Sequence, residues 1–418
     1  MDTQQERALQ LATEAGHILL ENGAEIIRVE ETIQHIATAY GVENESFYVL
    51  SNGIIATGQH YASAEFIPIK GTQLSRVVEV NQLSREVSSG TVSLDELEAR
   101  LKAIRQSPSK PWWELVLGTA LGVSSFSILF GGSFVDAGVT FIAGLLLGLF
   151  MTFVGSRITR IFGNLLSGML GGLLCILAVR LGLGEHLPNM IIGTIIALVP
   201  GVPFTNGMRD MANEDYLSGT TRLLDACLVF LCIALGVALA FLIDGAFSGG
   251  MMQLGVPVAD AVTRAWYVQL PAAFIGTVGF AALFGTPRRY YLTCGFTGMV
   301  GWAVYVVLAW YTGLLSVAGA AFFGALAVAL TSDLLSVAQR CPTTVFLICG
   351  IIPLVPGGGI FWTVYYLVSD QLRLAATTGF TAIKVTIAIA GGIILASGII
   401  NKCHLNSLMR KSINELKN

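Results

Sequence analysis

Leu198-Val199-Pro200-Gly201-Val202-Pro203-Phe204-Thr205-Asn206 ends an apolar run where an ordinary transmembrane helix would continue with more leucine and isoleucine. Two prolines and a glycine within four residues remove backbone donors and weaken the helix. In a bilayer each backbone group left alone is costly unless protein, water or ligand takes it up. The same device returns at Leu354-Val355-Pro356-Gly357-Gly358-Gly359. The rest of the chain reads as two scaffolds, each holding one broken helix.

Composition supports a membrane setting. Of 418 residues, 54% are hydrophobic and only 12% charged, against about 25% charged in a soluble domain. Charge is concentrated in residues 1–110, and residues 111–401 are apolar runs separated by short polar joints. A net charge of −3 says nothing about nucleic acid, and there is no basic, aromatic-rich face for it, so none is expected as a partner. Met1–Gln10 is polar with no signal-peptide core, which puts the amino terminus in the cytoplasm. The seven cysteines lie in or beside apolar runs without CxxC or histidine spacing, and read as packing residues rather than disulfides or metal ligands. No cofactor or metal is expected.

Residues 1–110 read as a small cytoplasmic α+β domain. Helical spacing covers Glu6–Leu20, stopped by Asn22-Gly23, and then Ala24–Ala39. Three β-like runs follow at Phe47–Leu50, Gly53–Thr57 and Phe66–Ile69, then helices over Arg76–Val87 and Leu94–Ile104, the last capped by Ser93 with Glu96 three on. Glu25, Arg28 and Glu30 form a charged face that either docks against cytoplasmic joints or is solvated. His17, His35 and His60 match no ligand spacing, and neither GxSxG nor HExxH occurs, which argues against a hydrolase.

From Trp112 onward ten apolar segments approach the ~20 residues a bilayer needs. The fourth, 189–204, and the ninth, 343–368, are the broken ones. With a cytoplasmic amino terminus, 14 Lys and Arg fall at inside joints and the carboxyl tail, against Arg180, Arg264 and Arg373 outside. That asymmetry puts both termini in the cytoplasm.

The two breaks match at an offset of 156, from Val199 to Val355. Phe126-Ser-Ile-Leu-Phe-Gly131 matches Phe280-Ala-Ala-Leu-Phe-Gly285 at an offset of 154. Nearly one offset for two strings implies a duplicated five-helix unit. Five being odd, the second copy enters from the opposite face, giving two inverted repeats, 111–245 and 246–403, followed by a cytoplasmic tail, 404–418. Secondary transporters use this arrangement, with discontinuous helices in matching positions building a midplane site.

Pro200–Asp210 with Asp215-Tyr216-Leu217-Ser218-Gly219, together with Gly23-Ala24-Glu25, Arg28-Val29-Glu30 and Val80–Arg85, resembles the threonine/serine exporter family. Pro353–Gly359 is similar to the smaller subunit of that family's split form, so the chain resembles the fused version over about residues 10–400. The resemblance implies export of threonine and serine, or of a dicarboxylate such as succinate, since the split form is associated with succinate. A proton-coupled antiporter in the inner membrane is the expected device; a homo-oligomer is compatible with it. A membrane-anchored hydrolase or sensor is the alternative of another class.

For substrate binding, the candidates are Pro200, Gly201, Pro203, Thr205, Asn206, Pro356, Gly357, Gly358 and Gly359, which offer freed backbone groups and two polar side chains; structural kinks are the rival reading. Thr343 and Thr344 suit a substrate hydroxyl. Arg209 and Asp210, just past the break, read as a gate, an ion pair or a solvated loop pair. Asp225 and Lys384, ionisable groups at membrane depth, read as proton carrier, counter-charge or mutual pair, with snorkelling as the rival.

Overall fold

The structure, a computed structural model, describes residues 3–42, 46–57, 62–68, 71–248 and 260–415. The elements in chain order are α1 (Thr3–Glu21), α2 (Ile26–Ala39), β1 (Ser46–Leu50), β2 (Gly53–Thr57), β3 (Ala62–Phe66), α3 (Leu74–Ser88) and α4 (Leu94–Gln106). They continue with α5 (Trp112–Leu129), α6 (Phe134–Phe153), α7 (Arg160–Arg180), α8 (Leu187–Ile195), α9 (Gly201–Ala212) and α10 (Tyr216–Ser248). The last are α11 (Trp266–Leu283), α12 (Tyr291–Val306), α13 (Val317–Gln339), α14 (Thr343–Ile351), α15 (Gly357–Val368) and α16 (Leu372–Glu415). Among the described residues eight helices are long and apolar enough to cross a membrane, or ten if each of two bent pairs is one span.

Two compact units result. The first comprises Met1–Glu114, Pro200–Cys227 and Ala281–Tyr291. Its core is the apolar face of α1 (Ala8, Leu11, Ala12, Ala15, Ile18, Leu19) packed with Val29, Ile33 and Ile36 of α2 and with Val77, Val80 and Leu83 of α3. The chain leaves α1 through Gly23 at φ +88, a conformation that favours glycine. The strands form an antiparallel meander in the order β1-β2-β3. The third strand is Ala62–Phe66 rather than the Phe66–Ile69 expected, because the ladder sets Gly53 opposite Phe66 and Thr57 opposite Ala62. Ile67, the apolar residue that suggested a strand, is instead fully buried in the domain core; residues 69–70 lie outside the described residues. The Ser93 cap forms, its Oγ accepting from the Glu96 amide at 3.3 Å. At the start of α3 the amides of Leu74 and Ser75 donate to the carbonyls of Phe284 and Gly285, both at 3.0 Å, which satisfies donors a helix leaves open.

The second unit comprises Leu115–Val199, Leu228–Phe280 and Leu292–Asn418. Its helices approach through small residues, as lipid-embedded helices do when packing rather than hydrophobicity holds them together. A Cβ on Gly236 of α10 would stand 2.0 Å from the Leu165 carbonyl oxygen of α7, and one on Gly168 of α7 would stand 2.4 Å from the Ile233 oxygen. The same crossing joins α16 to α13, where a Cβ on Gly392 would stand 2.4 Å from the Phe322 oxygen. Gly236 and Gly392 are 156 apart, the offset of the breaks. The breaks themselves have one construction. Each is a helix of nine residues, three residues of 3-10 helix, an extended valine, a proline N-cap and a helix of twelve residues. The bends are 67° and 46°.

The matched FxxLFG strings meet. A Cβ on Gly122 of α5 would stand 3.2 Å from the Phe280 ring, and one on Gly276 of α11 would stand 3.0 Å from the Phe126 ring. Phe126 and Phe280 are themselves in edge contact, centroids 5.2 Å apart. Since 122 and 276, like 126 and 280, are related by 154, each half makes to the other the contact it receives.

Replacing Gly236 by alanine should force α7 and α10 apart and cost about 1–3 kcal/mol. Gly138→Ala, where nothing lies within 4 Å of the new Cβ, should be neutral to within about 0.5 kcal/mol. Thermal unfolding in detergent compares the two, and equal midpoints would refute the close crossing.

Candidate functional site

A cavity of about 410 Å³ lies within the second unit, inside the size range of small-molecule sites. Asn189 and Ile192 of α8 line one side, and Pro353–Pro356, Gly358 and Gly359 of the second break line another. Trp302 of α12, the Tyr305 beside it, Trp310 and Trp362 of α15 add aromatic walls, and Thr381, Ala382 and Val385 of α16 complete them. Arg264, exposed, is the sole charged side chain among the lining residues.

Local chemistry holds these walls. Gln269 donates through Nε2 to the carbonyls of Ile128 (3.1 Å) and Thr263 (2.8 Å), and its Oε1 accepts from Trp302 Nε1 (2.9 Å). Trp302 stacks on Tyr305 at 4.9 Å and meets Trp310 edge-on at 5.9 Å. The Arg264 guanidinium lies over the Trp310 ring at 5.3 Å. Pro356 is the N-cap of α15 and provides no side-chain cap. The Gly357 amide turns back to the Val355 carbonyl at 2.7 Å; the amides of Gly358 and Gly359 belong to the first turn, where a helix has no internal acceptor. The positive end of α15 therefore starts at the cavity wall.

The two breaks approach one another. A Cβ on Gly357 would stand 3.1 Å from Ile196 and 3.3 Å from Val199, and one on Gly358 would stand 3.1 Å from Ile192. An alanine at either position would need the Ile192, Ile196 or Val199 side chain to give by a few tenths of an ångström.

In the first unit a buried polar network ties the loop between α1 and α2 to α9 and α10. Asn206 Nδ2 donates to the Gly23 carbonyl at 2.7 Å, and Arg222 donates to the Ala24 carbonyl at 3.1 Å and to Asp210 at 2.8 Å. The Ile26 amide, first in α2, donates to the other Asp210 oxygen at 3.4 Å. Arg209 pairs with Glu25 at 2.6 Å. Outside the spans, burial lifts the Glu30 carboxyl above the usual carboxylate range; nearby Asp215 adds to this, and a hydrogen bond with the Val49 backbone opposes it.

Two family models match most of the chain between them. A family model described as "Putative threonine/serine exporter" matches residues 10–243, and one described as "Threonine/Serine exporter, ThrE" matches residues 269–399. The chain belongs to the threonine/serine exporter family. It is 25% identical to the threonine/serine exporter of Corynebacterium glutamicum over 94% of this chain and 81% of that one. A "Probable threonine/serine exporter" of Mycobacterium tuberculosis is 24% identical over 94% of this chain and 76% of its own. The "Probable succinate transporter subunit YjjP" of Escherichia coli is 26% identical over 59% of this chain and 98% of its own. No solved structure matches.

Within this exporter-family chain the sequence candidates separate. Pro356, Gly358 and Gly359 line the cavity, and Gly357 faces the first break. Pro200, Gly201, Pro203, Thr205 and Asn206 are not among its lining residues. Thr205 closes on its own helix, donating to the Gly201 carbonyl at 2.8 Å. Arg209 and Asp210 do not pair with each other, because consecutive helical residues point in different directions and each finds a separate partner. Asp225 is half-buried and Lys384 exposed. The buried face of α16 runs through Ala382, Val385, Ile389, Ile393 and Ala396, which turns Lys384 away from the cavity. Thr343 bonds Ser336 at 3.0 Å, and Thr344 is buried. His17 pairs with Glu65 at 3.1 Å, His35 is exposed, and His60 lies outside the described residues.

Sequence reasoning missed Asp136, a fully buried carboxylate at the start of α6. It closes a capping box with Ser133 and accepts from the amides of Glu185 (2.8 Å) and His186 (3.1 Å), with His186 Nδ1 at 2.8 Å. These protein donors already occupy both its oxygens, so the cluster it forms with Glu185 and His186 reads as a staple. The Ser133-x-x-Asp136 spacing was the available signal.

Two tests follow from the network. Arg222→Met strands Asp210 and should cost about 3–5 kcal/mol, while the double variant with Asp210→Asn recovers part of it, as a double-mutant cycle would read. Glu30 has a raised folded-state pKa, so its contribution is full below the unfolded value and is lost as pH rises through the folded one. Glu30→Gln should remove that loss from a stability-versus-pH curve.

Proposed function

We propose that the chain is a secondary active exporter of small polar metabolites, with threonine and serine as the first candidates. The observation that carries this reading is one cavity bordered by both broken spans, α8 on one side and the start of α15 on the other. Substrate sits there, and the two halves rock about it to expose it alternately to each side. Reciprocal contacts of Gly122 with Phe280 and of Gly276 with Phe126 support two halves related by a two-fold axis, since in such a relation each contact is made twice. Inversion of the second half is what an odd number of spans per repeat requires. The inner-membrane location, the cytoplasmic termini and the 1–110, 111–245, 246–403 and 404–418 divisions belong to the same reading.

No Walker A sequence is present, and the reading takes the proton gradient as drive, with Asp225 and Asp210 as coupling candidates. Asp210 is held by Arg222 and the Ile26 amide, which suits it to a gate; Asp225 is the better proton carrier. A dicarboxylate exporter is the second reading, supported by the match along nearly the whole Escherichia coli subunit named for succinate. Lys384, its counter-charge in sequence terms, lies off the cavity-facing side of α16.

The test is counterflow of labelled threonine, serine and succinate in vesicles holding the purified protein, with and without a pH gradient. Threonine and serine are expected to move, and faster with the gradient. Asp225→Asn is expected to retain exchange while losing gradient-driven accumulation. Movement of none of the three would end the exporter reading, and full gradient-driven transport by the variant would remove Asp225 from it.

A further inference from the structure

The cavity walls are apolar and aromatic except for a few groups, and Arg264 is the single charge among them. No carboxylate lies within ion-pair reach of its guanidinium among the described residues. Its guanidinium carbon lies over the Trp310 ring, 5.3 Å from the centroid, and Trp310 is braced by Trp302 and Tyr305. Trp302 in turn is fixed by Gln269, whose three hydrogen bonds are all to protein groups. An arginine stacked in this way keeps its in-plane donors free for a carboxylate, and its fork matches two carboxylate oxygens. The half-buried rings of Tyr305 and Trp310 beside it, with Trp302 behind them, line the cavity with aromatic faces that attract an ammonium group.

We propose that Arg264 is the carboxylate anchor of the transported molecule and the residue that sets its charge class. The claim rests on the exporter reading and goes further than it. With one cation in the walls, a zwitterionic α-amino acid is matched, its carboxylate on Arg264 and its ammonium against the Trp302, Tyr305 and Trp310 faces. A dicarboxylate would find no second cation among the lining residues, only the first-turn amides of α15, and would lose the aromatic contacts that an ammonium makes. The site therefore selects an amino acid over a dicarboxylate.

The experiment uses the full chain in vesicles, with Arg264→Gln and Arg264→Lys, and labelled threonine as the counterflow probe. Unlabelled serine, succinate and threonine methyl ester, which lacks the carboxylate charge, serve as competitors. Arg264→Gln should raise the half-saturating threonine concentration roughly tenfold or more, the scale of a lost hydrogen bond to a charged group, with Arg264→Lys in between. In the unaltered protein serine should compete well, and succinate and the ester at least tenfold less well. Emission of the stacked tryptophans should change on titration with threonine and be blunted in Arg264→Gln. A half-saturation within twofold of the parent in Arg264→Gln overturns the assignment, as does an ester or succinate that competes as well as threonine. The competitor arm needs no variant, so a misfolded substitution does not shield the proposal. Absence of any transport by the parent defeats the exporter reading itself, a result distinct from transport that ignores Arg264.

Discussion

A broken helix in lipid must have its freed backbone groups covered by protein, and this constraint governs both halves of the molecule. At each break the chain leaves the helix through an extended valine and re-enters at a proline, which needs no donor of its own. Covering such a segment requires another backbone to come close. Glycine at 357 and 358 permits that approach to Ile192, Ile196 and Val199. The glycines of α7, α10, α13 and α16 bring the surrounding helices together at similarly short range. The glycines thus serve two kinds of approach, helix crossings and the flank of the second break, and the cavity lies beside that break.

Much of the architecture could be read in the sequence because it depends on local chemistry. The spans follow from apolar runs, the breaks from proline and glycine, and the Ser93 cap from its spacing with Glu96. The third strand was misplaced because the alternating apolar residues of Ala62–Phe66 are small or exposed rather than buried, and pairing with β2 sets its place. The partners of Arg209 and Asp210 were illegible for a different reason. Glu25 and Ile26 are some 184 residues away in the chain, and no pattern along one segment reports such a contact. The charged face at Glu25 and Arg28 was seen, and docking was one of its two open readings. Arg264 was noted only as a charge in an outside joint. Its place beside Trp310 depends on the turn at 261–264 and on the π-helical segment Val307–Tyr311, which sequence periodicity does not position.

The two broken helices share one construction and differ in what their side chains contact. α9 and α15 have equal length and correspond at an offset of 156. At that offset Asn206 corresponds to Trp362, Arg209 to Tyr365 and Asp210 to Tyr366. In the first copy the side chains are polar and bond the turn between α1 and α2. In the second they are aromatic; Trp362 lines the cavity and stacks with Tyr366 at 5.3 Å. Polar groups that looked suited to a ligand are therefore the ones a protein surface already uses, and the apolar copy is left to line the cavity. Thr205 and Asn206 are not among the lining residues, and the polar groups that are include Asn189, Gln269, Thr381, Arg264 and the first residues of α15. On the proposed reading, such a cavity distinguishes molecules chiefly by charge, because one charged side chain stands among mostly apolar and aromatic walls.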